Sequence, residues 1–456
     1  MTTVRIDRLS PVDLINVHAE TPSAPARVGA IAFLDGRTLL DAQGNLRMAD
    51  IRAELERRLG RTPRLRQVIH PAGLLAGRPV WIDDAAFRID RHVREVELPM
   101  DEALTDFAIH LVNQPMATSH PLWRMWFVRG LPDHRTAFVI ALHHVIADGV
   151  TTVRLIGALT DDADAEKAAP TWSPQHPPTW AQLVRDNLQR KASGLRAGHR
   201  PDLSQWREVR LLRHAPRTAL NRPVSARRRL GVVTMDLAAA KQTAHAHGGK
   251  VNDVVLALAT GGLRQLLLSR GEPVEGVRLN ASVAVSLRES GSQDVGNRSG
   301  VIVVRVPLDA DPHRRLREIA RDSARAKKHQ MYTTGGALLI GLARFGLLRY
   351  FSRHQHMVNF VESNVTGPAA RLRLLGAPIV DVVPIGTLVG NLTVGVLALS
   401  YAGRLTIAVQ ADAVRCPDLD VLLTAMHDDS VTLTAGLTQP HSDVPAEPIA
   451  AAASGS

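Results

Sequence analysis

Cysteine is almost absent from this chain: Cys416 is the single one in 456 residues. That excludes an internal disulfide framework and argues against a cysteine-rich zinc site, leaving Cys416 as a small packing residue. Aromatic residues are scarce, at 4%. With so few, and with no zinc-finger or RNA-binding signature, nucleic acid is not an expected partner. The opening residues, MTTVRIDRLS, hold no apolar segment of the secretory kind, so the expected location is the cytoplasm. No uninterrupted apolar run reaches membrane-spanning length. The nearest, residues 337–351, is broken by Arg344 and Arg349. It reads as a helix with a broad apolar face, suited to a core or to a membrane surface.

What the chain has in excess is positive charge, a net +11. Much of it lies between Arg185 and Arg229, including Arg207, Arg210, Arg213, Arg217 and the run Arg227-Arg228-Arg229. Basic stretches commonly meet phosphates, and a solvated helix face is the alternative. Length and an ordinary 45% hydrophobic content suit two cores better than one.

The pattern along the chain divides it accordingly. Residues 1–165 read as one mixed lobe, with helices over 51–59 and 104–111, a strand over 137–143 and a helix over 151–159. Residues 166–228 read as a linker, proline-rich over 168–178 and then basic and helical. Residues 229–438 read as a second lobe. Its signals are a strand over 230–237, a helix opened by Asn252 and closed by Gly271, a strand over 301–306, and a hairpin turning at Ala402-Gly403. Residues 439–456 have the composition of a disordered tail. No fixed-period repeat is present.

The most informative stretch is HHVIADG, His143 to Gly149, placed directly after the apolar run Phe138–Leu142. The run predicts a buried strand, so His143 and His144 should face opposite ways, with one of them toward a substrate. A neutral imidazole can take a proton from an alcohol or thiol near pH 7. Asp148 is close enough to brace the loop, and Gly149 permits backbone angles that a Cβ disfavours. Adjacent histidines do not have the i, i+4 spacing of a helical metal site, so no metal is expected.

HHVIADG resembles the HHxxxDG signature of acyl-CoA-dependent acyltransferases, a superfamily that includes chloramphenicol acetyltransferase, carnitine acyltransferases and condensation domains. Further blocks resemble, in order, those of the bacterial wax ester synthase/diacylglycerol acyltransferase family. They are Leu9-Ser10-Pro11-Val12-Asp13, Pro121-Leu122-Trp123, Val251-Asn252-Asp253-Val254-Val255-Leu256-Ala257, Val285-Ser286-Leu287-Arg288 with Gly296-Asn297, Ser363-Asn364-Val365-Thr366-Gly367-Pro368, and Tyr401-Ala402-Gly403. They span residues 9 to about 410, nearly the whole chain. Departures are Thr366 where the family has proline, Ile15-Asn16 near the place where it has Phe-Leu after Asp13, and Ala26-Arg27-Val28-Gly29 where a histidine often precedes the Val-Gly pair.

The resemblance implies an α/β fold of two chloramphenicol-acetyltransferase-like lobes of mixed sheets and helices, with the site in a channel between them. It implies that His144 is the general base and that acyl-CoA is a co-substrate, with no further cofactor. Diacylglycerol, or a long-chain alcohol, would be the acceptor. His143 would support the strand, and Asp148 would fix the loop, held by an arginine for which Arg288 is a candidate. Pro121, Leu122 and Trp123 would line the channel or sit in the core. Asn252 and Asp253 would shape the site from the second lobe or cap a helix. Asn297 lies in the block that carries Arg288. Ser363, Asn364 and Gly367 suggest a tight turn at the lobe interface. Coenzyme A phosphates and anionic lipid headgroups fit the basic stretch, which also suits peripheral association with the inner membrane or lipid droplets. A different hydroxyl acceptor, or a lipid-surface protein of weak activity, are the alternatives.

Overall fold

The computed structural model describes residues 6–132, 135–161, 172–196, 214–286, 299–328, 342 and 346–436. Through the first half run β1 (Asp7–Arg8), α1 (Pro11–Ala19), β2 (Arg27–Asp35), α2 (Met48–Arg58), β3 (Gln67–His70), β4 (Val80–Asp83), α3 (Ile89–His92), β5 (Val93–Glu97), α4 (Leu104–Asn113), β6 (Trp123–Arg129), β7 (Arg135–His143), α5 (Gly149–Ala158) and α6 (Trp180–Arg196). The second half holds β8 (Arg228–Asp236), α7 (Leu237–Ala246), α8 (Val251–Ser269), β9 (Arg278–Ser286), β10 (Ser299–Pro307), α9 (Pro312–Lys328) and α10 (Leu348–His354). It closes with β11 (Phe360–Thr366), β12 (Arg373–Leu374), β13 (Ala377–Ile385), β14 (Val394–Tyr401), β15 (Arg404–Asp412) and α11 (Leu419–Thr434).

Two six-stranded sheets organise the lobes. The C-terminal sheet has the order β10-β9-β11-β14-β15-β8, and β11 runs parallel to both of its neighbours. Helix α8 lies across one face of it and is buried from Asp253 to Leu263. By length and composition α8 could cross a membrane, but 72% of its apolar window is buried within the protein, which makes it a core helix. Gly262 lets α11 come close: a Cβ there would meet the Leu422 carbonyl oxygen at 2.7 Å. Leu256, Leu263 and Leu267 of α8 pack with Leu279 and Ile302 of the sheet and Leu422 and Met426 of α11. Truncating any one of these leucines to alanine should cost about 2–5 kcal/mol. Cys416 is buried in the same core, where burial pushes its thiol up to about 11, so it packs rather than reacts.

The N-terminal sheet has the order β12-β13-β2-β7-β6-β5. Its first two strands come from the far end of the sequence. After β11 the chain leaves the C-terminal lobe, adds β13 antiparallel to β2 with Pro384 opposite Ala30, then returns as β14. The boundary expected at residue 229 therefore fails for residues 373–385, which belong to the first lobe's sheet. A further apolar cluster joins the lobes: Ile109 and Val112 of α4 and Val139 of β7 pack with Leu230 of β8 and Ala408 of β15. A small sheet, β1-β4-β3, completes the first half.

Most expected elements occur within a few residues of their anticipated bounds. The β14–β15 hairpin turns through Ala402 (φ 46°) and Gly403 (φ 84°), the two consecutive positive φ values of a tight two-residue hairpin turn. The helix expected to open at Asn252 opens one residue earlier, with Lys250 at the cap position, because the Asp253 carboxylate accepts the Lys250 backbone N–H at 2.8 Å. Of the basic linker, only α6 and residues 172–179 and 214–228 are described. Arg207, Arg210 and Arg213 lie outside the described residues, as does the expected tail at 439–456. The run Arg227–Arg229 is partly committed inside the protein. Arg228 is buried against Asp412 at 3.6 Å and donates to the carbonyls of Ser23 and Ser225. Arg229 donates to the Pro417 carbonyl at 2.8 Å.

Candidate active site

The lobes enclose a cavity of about 290 Å³. From the N-terminal side it is walled by β2, the start of α5, β13 and His144; from the C-terminal side by β9, β11 and β14. The wall is mainly aliphatic. Among the described residues, the ionisable side chains that border it are His144, Glu362 and Tyr401. The Tyr401 hydroxyl donates to the Ile379 carbonyl and accepts the Leu372 N–H, tying β14 to β13.

The apolar run before the motif forms β7, and its last residue is His143. As the alternation of a strand requires, the two imidazoles part. His143 is buried away from the cavity. Its Nε2 lies 3.0 Å from Glu20 Oε2, and its Nδ1 accepts the Val145 N–H at 3.1 Å. An accepting Nδ1 leaves the proton on Nε2, where it meets the carboxylate. Burial alone would raise the Glu20 carboxyl. The hydrogen bond from His143 and the charge of Arg27 hold it below its ordinary value instead. Arg27 pairs with Glu20 at 2.6 Å and also donates to the Asn113 carbonyl. His143 is therefore the end of a buried polar chain that fixes the strand.

His144 faces the cavity, half-buried. Its backbone N–H donates to the Ala26 carbonyl at 2.8 Å, which fixes where the ring leaves the chain. Burial lowers its pKa below the ordinary histidine value; a hydrogen bond with its own carbonyl and the charges of Asp148 and Asp13 oppose that without reversing it. The ring is thus a neutral base at pH 7.

Asp148 is buried and caps α5: its carboxylate accepts the Thr151 N–H at 2.9 Å. Gly149 is present for a different reason than backbone freedom, since its φ is not positive. A Cβ there would meet Val365 Cγ2 of β11 at 2.7 Å. The glycine lets the first turn of α5 touch the opposite lobe beside His144.

The other anticipated residues divide. Ser363 borders the cavity, but Ser363 and Asn364 lie inside β11, paired in parallel with Leu397 and Ala398, so the expected turn is a strand. Gly367 follows it, where a Cβ would meet the Ser400 carbonyl oxygen at 2.4 Å. Pro121, Leu122 and Trp123 lie in the core below the site rather than in its wall. The Leu122 carbonyl accepts the His143 N–H at 2.9 Å, and the buried Trp123 indole donates to the Leu65 carbonyl at 2.7 Å. Their effect on the site passes through β7. Asp253 caps α8, and neither it nor Asn252 borders the cavity. Arg288 and Asn297 lie outside the described residues.

Comparison with known proteins agrees with this geometry. Residues 9–255 match the wax ester synthase/diacylglycerol acyltransferase catalytic domain, more than half of the chain. The chain belongs to the wax ester synthase/diacylglycerol acyltransferase family. Residues 295–432 match the family's C-terminal domain. A Mycobacterium tuberculosis protein that carries the name diacylglycerol O-acyltransferase is 30% identical over 91% of this chain and 86% of its own length. Another from the same species, tgs1, is 28% identical over 90% and 91%. The wax ester synthase/diacylglycerol acyltransferase of Marinobacter aquaeolei VT8 has the same fold, with a TM-score of 0.66 at 24% identity over 93% of this chain and 98% of that one. So has the first condensation domain of the calcium-dependent antibiotic synthetase, at 0.65 and 15% identity over 95% and 97%. The protein is an acyltransferase of two chloramphenicol-acetyltransferase-like lobes.

Within a wax ester synthase/diacylglycerol acyltransferase chain, several residues that shape this site were not singled out from the sequence. Glu20 and Arg27 support His143 from over a hundred residues away; Arg27 stood out only as part of a departure from the family pattern, and only its partners identify Glu20. The Leu9–Asp13 block turns out to be a capping box: Ser10 Oγ accepts the Asp13 N–H, Asp13 Oδ2 accepts the Ser10 N–H, and Pro11 occupies the first turn. A serine followed three residues later by an acid was the available signal. Asp13 is then close enough for its charge to act on His144. Glu362 carried no signal, being a single acid directly before the Ser363–Pro368 block.

Proposed function

We propose that this protein transfers a long-chain acyl group from acyl-CoA to the free hydroxyl of diacylglycerol, and to long-chain alcohols as a second acceptor class. The observation that carries this reading is a neutral imidazole, His144, on the wall of an aliphatic cavity between the lobes. His144 takes the hydroxyl proton as the oxygen attacks the thioester carbonyl. A C–O bond forms, the tetrahedral intermediate collapses with loss of the C–S bond, and the proton passes from His144 to the departing thiolate. Both substrates are held together, so no acyl-enzyme is needed. Acyl-CoA is the only co-substrate and no other cofactor enters.

Water-insoluble acceptors call for contact with a lipid surface, and one surface suits it. Leu74 and Leu75 are 87% and 76% exposed, beside the half-exposed Trp180. Leu75 sits at φ 64°, costly for leucine, and the loop is held there by Trp180 Nε1 on the Leu74 carbonyl and Asn187 Nδ2 on the Leu75 carbonyl. Helix α6 adds exposed Arg185 and Lys191. Apolar tips flanked by cations match an anionic bilayer.

The test is incubation with labelled palmitoyl-CoA and either diacylglycerol or hexadecanol, for wild type and His144→Ala. Triacylglycerol or wax ester from wild type alone supports the reading. Equal product from His144→Ala overturns the mechanism, and no product from a folded wild type overturns the acceptor. Flotation with anionic vesicles, lost in Leu74→Ser/Leu75→Ser, tests the lipid surface.

A further inference from the structure

The C-terminal sheet holds an acid that the transfer chemistry leaves unused. Glu362 is 1% exposed, and among the described residues neither carboxylate oxygen has a partner in good hydrogen-bond geometry, although the Asn252 amide is close enough to act on it. An ionised carboxylate left so would lose its hydration with little to replace it. Burial pushes its pKa up to about 8, with the nearby Asp253 adding to the rise and the Asn252 amide and Lys327 opposing it. At pH 7 the group is a neutral carboxyl, with one O–H to donate and no well-placed acceptor among the described residues.

The sheet explains what could reach it. β11 pairs with β9 only as far as Glu362 opposite Val283. Beyond that level β9 continues beside β10 to Ser286, and β11 continues beside β14 to Thr366. Two parallel strands therefore separate directly after Glu362. The cavity borders Ala284 on one side of the separation and Glu362 and Ser363 on the other, so it extends to this point. The first turn of α8 stands close by, and there Asp253 Oδ1 also lacks a partner. Glu362 gives the cavity a second polar end, with Asp253 behind it; the first polar end is His144.

We propose that the separation of β9 and β11 is a substrate-positioning subsite, in which the Glu362 carboxyl donates a hydrogen bond to a carbonyl oxygen of the bound substrate. The chemistry recognised is an amide or ester carbonyl. Two sources supply one: the pantetheine arm of acyl-CoA and the glycerol esters of diacylglycerol. The inference rests on the acyl-CoA-dependent reading above. Glu362 positions rather than reacts, and the proton it donates stays on it.

The experiment compares wild type with Glu362→Gln, which keeps a neutral donor of the same length, and Glu362→Met, which keeps the volume and removes the donor. KM and kcat are measured for palmitoyl-CoA, diacylglycerol and hexadecanol, and palmitoyl-CoA and dioctanoylglycerol are titrated directly into all three proteins. The expected result is a KM about tenfold higher in Glu362→Met, kcat little changed, and recovery in Glu362→Gln. A rise for palmitoyl-CoA with either acceptor assigns the pantetheine amide, and a rise for diacylglycerol alone assigns the glycerol ester. Unchanged KM and affinity in Glu362→Met overturns the subsite, as does equal impairment of the two variants. Should wild type act on neither acceptor, the functional reading fails by itself, and the titrations still decide the subsite: a weaker affinity in Glu362→Met restored by Glu362→Gln supports it.

Discussion

The N-terminal lobe and the C-terminal lobe face one cavity with different chemistry. The first brings His144, the capped helix behind it and the buried chain His143–Glu20–Arg27. The second brings aliphatic strands, and its one ionised or ionisable side chain on β11, Glu362, carries no charge at pH 7. Charge that must be held still is invested in the lobe that moves the proton. The other lobe supplies an aliphatic surface, beside which electrostatic effects on the reacting oxygen are stronger than in bulk water. The division is not a division of sequence, since β13 of the first sheet is donated by the second half of the chain.

Removing the base is the largest test of this contrast. His144→Ala should lower kcat by about 10²–10⁴-fold with thermal stability close to wild type, read from turnover and a melting curve. A variant that kept full turnover would place the proton transfer elsewhere. Next is the contact that brings the lobes together. Gly149→Val drives side-chain atoms into Val365 and should displace the start of α5, costing about 10²-fold in kcat/KM. Adding Val365→Ala should recover part of that loss, and an additive double variant would show that the two do not meet.

A smaller effect belongs to the support of His143. Glu20→Gln should cost about 1–3 kcal/mol of stability, because a buried histidine N–H and arginine lose a charged partner. The sign of its pH dependence follows from the lowered Glu20 pKa. The contribution is full above the unfolded value of about 4.5 and is lost as the pH falls through the lower folded value. The melting difference between wild type and Glu20→Gln should therefore persist from pH 8 to 6 and vanish in acid. The smallest shift is in the pH–rate profile. With the His144 pKa lowered by burial, the acid limb should lie below about 6.5, the ordinary histidine value. A midpoint above that value would mean that the ring is better solvated than its surroundings suggest.

Local signals were legible where they act over a few residues. The run Phe138–Leu142 announced β7, and the hairpin at Ala402-Gly403 was announced by its turn. The parting of the two histidines followed from strand alternation alone. Strand β13 was not legible: Pro378, Pro384 and a register shift between Ile379 and Asp381 obscure its alternation. The role of Pro121–Trp123 was half legible. The segment was expected in the channel wall or in the core, and the structure places it in the core, with Trp123 at the start of β6.

By itself the sequence determined elements such as β7, α5, α8 and the β14–β15 hairpin, that two lobes form, and that His144 emerges from a rigid strand end, because these depend on residue order within one element. Only the tertiary structure decided that Gly149 serves a contact with Val365, that Glu20 and Arg27 hold His143, that β13 changes lobes and that Glu362 is buried at the border of the cavity. Each of these is a meeting of residues far apart in the chain, settled by packing in three dimensions and by which polar groups burial leaves unpaired.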